Sequence, residues 1–145
     1  MNRLTDLKVL FRVIAVVEFC YAMIGLAPPS MVPALTGWTL GTDGQWLAKL
    51  FAVALASQAW VAWTLRNSPH LAVAQALAFY QLASATVDWF MWITLADQNV
   101  FSTLQAKIGV AISIPTHYAL GLLLVLAIRS ERTSSAPGHV QARST

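Results

Sequence analysis

Cysteine is nearly absent from this chain: Cys20 stands alone among 145 residues. A single cysteine excludes an intrachain disulfide and any cysteine-based metal or redox pair. Set inside an apolar stretch, it reads as a small packing residue. Charge is scarce as well. Asp, Glu, Lys and Arg make up 10% of the chain, against roughly 25% in ordinary soluble domains. That is too little polar surface to clothe a soluble domain of this size. Nine basic residues exceed six acidic ones for a net charge of +3, but the excess sits at the ends of apolar segments and not in a patch. It therefore reads as membrane orientation and excludes a nucleic-acid partner. No phosphate loop, nucleophile elbow or redox pair is present. His70, His117 and His139 fall at different depths, which leaves no heme ligand pair. No cofactor and no metal site is expected.

What the sequence does have is apolar length. Hydrophobic residues make up 57%, gathered in four stretches at about 9–26, 46–65, 70–95 and 103–128. Each holds roughly 18–26 residues, enough to cross a ~30 Å hydrocarbon core. The start of the chain has the outline of a signal peptide, but Glu18 interrupts the apolar run and Pro28 follows the candidate cleavage point, so it reads as a retained helix. Ser68 and Pro69 suit the start of the third stretch. The segment 129–145 is rich in Ser, Thr, Arg and Pro and reads as a disordered tail. The expected fold is an all-α membrane protein, a four-transmembrane-helix antiparallel bundle in one domain (1–128).

Basic residues orient it. Arg3, Lys8, Arg12, Arg66, Arg129, Arg132 and Arg143 fall on one side of a four-span hairpin, and only Lys49 and Lys107 on the other. Both termini and the Arg66-to-His70 turn are thus expected in the cytoplasm, with the bacterial inner (plasma) membrane as the location. Trp46, Trp89 and Trp92 mark the outer boundary, Trp60 and Trp63 the inner one. The outer connection 27–45 is longer than a tight turn needs. It either lies on the membrane with Trp38 as anchor, packs on top of the bundle, or caps a cavity between the helices.

A charge in hydrocarbon costs roughly 3 kcal/mol or more, so Glu18, Asp88 and His117 each need a reason to be there. Phe11, Ile14, Glu18, Tyr21 and Gly25 recur at steps of three and four. Ala74, Leu77, Gln81, Ser84 and Asp88 do the same in the third stretch. Ser113, His117 and Gly121 share a face of the fourth. Each set therefore lies on one packing face. The second stretch offers a stripe of Ala48, Ala52, Ala56 and Ala59, with Gln58 as its main polar group. At a rise of ~1.5 Å per residue, Glu18, Gln81 and His117 lie ~13–16 Å from the inner helix ends, in one layer. Asp88 lies ~10 Å farther out. Pro115 frees the carbonyl of Ala111 beside His117, which must find another partner in a membrane.

Three functions are compatible with this set. In the first, Glu18, His117 and Asp88 are catalytic acid–base groups. Tyr21, Gln58, Tyr80, Gln81, Ser84, Trp89 and Ser113 then orient and cover a lipophilic small molecule, with Phe90 beside them, for an isomerisation or cyclisation by proton transfer. In the second, the protein is a proton-coupled exporter. Ala15-Val16-Val17-Glu18 resembles the small multidrug-resistance transporters, which also carry a membrane-embedded glutamate on the first of four helices. The resemblance spans a short stretch. This chain is longer, has a strong orientation bias, adds Asp88 and His117, and lacks a glycine-rich third helix. In the third, the protein is a non-catalytic assembly or scaffold subunit, or a homo-oligomer, with Glu18 neutralising His117 and Asp88 neutralising Lys49.

Overall fold

The computed structural model describes residues 6–95, 98 and 100–134. Among them all regular structure is helical, in five helices: α1 Leu7–Leu26, α2 Val32–Thr36, α3 Thr42–Thr64, α4 Leu71–Thr94 and α5 Leu104–Ser134. The four long helices correspond to the four apolar stretches. α5 continues through Ser134, past Ile128, where the sequence reading begins a tail. Ser and Thr tolerate a helix end, and Ser134 there bonds back to the Ser130 carbonyl. The rest of that tail, including His139 and Arg143, lies outside the described residues, as does Arg3.

Local chemistry sets the helix ends. Asp6 caps α1 by accepting from the Lys8 amide at 2.9 Å, satisfying one of the free N–H groups of a first turn. α2 has Pro33 in its first turn and ends at Gly37 with φ 75°, a left-handed conformation that favours glycine. The α2 connection is tied to the start of α5, where the Thr103 hydroxyl donates to the Gly37 carbonyl at 3.0 Å.

Three of the long helices, α1, α3 and α5, are long and apolar enough to cross a membrane, which points to a membrane protein. α4 is as long but is not among them, because Gln75, Gln81, Ser84 and Asp88 dilute it. Large apolar side chains cover the outside of the molecule, among them Val16, Phe19, Phe51, Trp60, Phe79, Phe90 and Ile93. A surface this apolar marks contact with something other than water.

The helices pack as two pairs. α3 lies along α1 and α4 along α5, and the pairs meet mainly where α1 touches α5, while α3 and α4 are not packed along each other. Where α1 and α3 converge, a Cβ at Gly25 would lie 2.7 Å from that of Ala52, so this crossing requires glycine. At one end of the molecule, which carries Lys8, Arg12, Arg66, Arg129 and Arg132, bulky side chains fill the space between the pairs. Leu10, Phe11, Ile14, Leu77, Leu120, Leu124 and Ile128 form one buried cluster there. Arg12 ties the start of α1 to the α3–α4 turn through a 3.1 Å bond to the Asn67 side chain. Toward the other end a cavity replaces the core.

A candidate ligand cavity above a buried polar relay

The boundary between core and cavity is polar. Glu18 on α1 and Gln81 on α4 are fully buried, and His117 on α5 nearly so. The Gln81 amide nitrogen donates to Glu18 Oε1 at 2.5 Å, and Gln81 Oε1 bonds to His117 Nδ1. Three helices from both pairs are thus joined by one chain of side-chain hydrogen bonds. The chain also fixes hydrogen positions. A carboxylate oxygen accepts, so Gln81 turns its NH2 toward Glu18 and its carbonyl toward His117. His117 must then donate from Nδ1, and in the neutral ring Nε2 keeps its lone pair. Tyr21 stacks on the imidazole, with centroids 5.9 Å apart, and Tyr80 meets it edge-on at 6.2 Å. Glu18 Oε2 is buried and has no hydrogen-bond partner among the described residues. Leaving a buried acceptor unsatisfied costs on the order of 1–3 kcal/mol.

Above this layer lies a cavity of about 550 Å³, within the ~300–1,000 Å³ range of small-molecule sites. α1 gives it Tyr21, Ile24 and Gly25; α3 gives Ala48, Phe51, Ala52 and Leu55. The α4 wall is Tyr80, Ala83, Ser84, Val87 and Asp88. The α5 wall runs from Gln105 through Ala106, Gly109, Val110 and Ser113 to His117. α2 and the segment after it close the end with Val32, Leu35, Thr36, Trp38 and Leu40. Trp38 is held there by Phe101, which in turn stacks on Trp92 at 5.6 Å.

The residues singled out from sequence fare differently. Tyr21, Tyr80, Ser84, Asp88, Ser113 and His117 all line the cavity. Glu18 and Gln81 do not line it; they sit behind its floor and reach it through His117. Asp88 accepts from the Ser113 hydroxyl at 2.8 Å. Trp89 and Phe90 are corrected: both point outward, Trp89 with 52% of its surface exposed. Of the two neighbours of Asp88, the helix turns Val87 and not Trp89 toward the cavity. Gln58 is also outside the cavity, because α3 turns Ala52, Leu55, Ala59 and Ala62 inward. The two direct ion pairs are not formed. Gln81 stands between Glu18 and His117, and Lys49 donates to the backbone carbonyls of Gly25 and Ala27.

Sequence reasoning missed Phe51, Leu55, Val87 and Val110 as lining residues. Apolar side chains in an apolar helix carry no mark of which face they occupy. Trp38 had a signal, a tryptophan in a long apolar connection, and its indole nitrogen is buried with no partner among the described residues. No family model, characterised protein or solved structure matches this chain.

Proposed function

We propose that the protein is a four-helix membrane bundle that binds a lipophilic small molecule in the cavity, with acid–base conversion of that molecule as its activity. The observation that carries this reading is the cavity itself: mostly apolar walls broken by Ser84, Asp88 and Ser113, over a floor where the buried Glu18–Gln81–His117 relay ends on a ring that faces the cavity. Hydrophobic pockets with a few convergent polar groups are the usual form of a small-molecule site.

That α4 also crosses the bilayer is supported by its facing. Gln81 is buried and Asp88 faces the cavity, while Phe79, Trp89, Phe90 and Ile93 cover its outer side. Of the polar residues that lower its average apolarity, Gln81, Ser84 and Asp88 face inward, while Gln75, near the basic end, is exposed. The basic end then lies in the cytoplasm of a bacterial cell, by the positive-inside rule, and the cavity occupies the outer half of the membrane. α3 and α4 are not packed along each other, and at that seam Phe51 and Val87 line the cavity while each keeps more than half its surface exposed. This suits a ligand that arrives sideways from the bilayer.

In this reading His117 is the group that exchanges a proton with the ligand, because it alone of the relay touches the cavity. Gln81 orients the ring, and Glu18 balances the charge that develops when the ring is protonated. The test is mass spectrometry of small molecules copurifying with the wild type and with Glu18→Gln. A discrete apolar compound retained by the wild type and lost from the variant is the expected result. Identical, lipid-only profiles would falsify the ligand reading and leave the relay as a structural tie between helices.

A further inference from the structure

The charge inside the cavity is one-sided. Among the described residues its lining holds one carboxylate, Asp88, and one imidazole, His117, and no lysine or arginine. The cation of α3, Lys49, is turned to the carbonyls of Gly25 and Ala27. A second carboxylate, Glu18, stands behind His117. Apart from a few hydroxyl and amide groups, the rest of the lining is aromatic and aliphatic, with Tyr21, Tyr80 and Trp38 among it.

We propose that the cavity takes a lipophilic amine, its ammonium group paired with Asp88 and its hydrocarbon body among Tyr21, Tyr80, Trp38 and Leu55. The proposal rests on the ligand-site reading above and adds the chemical class. Ser113 donates to Asp88 Oδ2 at 2.8 Å, which leaves acceptor capacity on a group with about four lone-pair sites. It also holds the carboxylate in a fixed direction. A carboxylate among apolar walls is costly alone and gains most from a cation that brings its own hydrocarbon. Aromatic faces nearby favour the same sign of charge. A fatty carboxylate would meet like charge from Asp88, and a neutral alcohol could donate its hydroxyl to the carboxylate but would leave the charge unbalanced.

The test uses the protein in lipid nanodiscs at neutral pH, with empty nanodiscs as reference, and three probes of one shape: 4-phenylbutylamine, 4-phenylbutanol and 4-phenylbutyrate. Calorimetry should show the amine binding about tenfold or more tighter than the alcohol, the gain of one charge-assisted hydrogen bond, and no binding of the carboxylate. Asp88→Asn, which can still accept from Ser113, should bring the amine down to the level of the alcohol. Asp88→Glu should keep the preference. Equal binding of amine and alcohol, or a preference that survives Asp88→Asn, overturns the amine assignment and leaves the ligand site standing. Failure of all three probes while the wild type still carries a copurified apolar compound does the same. Failure of the probes with no copurified compound removes both. The ranking of probes on the wild type decides the matter even where a variant does not fold.

Discussion

Gln81 is the residue on which the relay turns. It is the only side chain that touches both Glu18 and His117 in the hydrogen-bond chain, and its two ends are not equivalent. With the NH2 committed to the carboxylate, the carbonyl selects the Nδ1–H form of His117. Nitrogen-15 spectra of labelled protein should therefore show neutral His117 protonated at Nδ1. Gln81→Met keeps the length of the side chain but removes both hydrogen bonds, and it should abolish that preference. A wild-type His117 protonated at Nε2 would contradict the relay as drawn. Sequence spacing was enough to place Glu18, Gln81 and His117 in one layer, because three helices count their depth from ends that can be read. It was not enough to order them. Which residue stands between the other two depends on helix neighbours, and the sequence offered Glu18 and His117 as direct partners. Trp89 is a similar case. Val87 and Trp89 both adjoin Asp88, yet only Val87 lines the cavity, and the sequence carries no mark of which neighbour turns in.

At the scale of helices, packing faces were readable wherever polar or small residues marked them. The run Phe11, Ile14, Glu18 is buried as its spacing requires, and so is Ala74, Leu77, Gln81. α3 was harder. Its alanines recur on more than one row, and the observed buried set of Ala52, Leu55, Ala59 and Ala62 only partly follows the stripe read from sequence. α2 was not anticipated as a helix, although Pro33 and Gly37 bracket it with the residues a short helix uses at its ends. The α1–α3 crossing gives a sharp test. A methyl group at Gly25 would press on Ala52 Cβ, 2.7 Å away, with the Ala48 carbonyl at 3.5 Å. Neither neighbour can swing aside, so the helices must separate. Gly25→Ala should destabilise the fold by roughly 1–3 kcal/mol, the usual cost of overpacking, read as a lower midpoint of thermal unfolding in detergent. An unchanged midpoint would mean that α1 and α3 do not cross this closely.

Across the whole molecule, a packed core at the basic end gives way to a cavity at the other. Leucine, isoleucine and phenylalanine close the basic end, and Gly25, Ala48, Ala52, Ala83, Ala106 and Gly109 leave the other end open. If the cavity were only a packing defect, filling it should help stability and change nothing else. Gly109 allows that comparison. It shares a face of α5 with Ala106, Ser113 and His117, and a Cβ there meets nothing within 4 Å. Gly109→Leu replaces a poor helix former, a gain of about 1 kcal/mol, and adds an isobutyl group to the cavity wall on α5. The variant should unfold at a higher temperature than the wild type and lose the copurified apolar compound. Higher stability with the compound still bound would put the ligand elsewhere on the apolar surface. A gain in stability paired with loss of the ligand would show that the open end is kept open at a cost, as expected of a site maintained for binding and not of a loosely packed bundle.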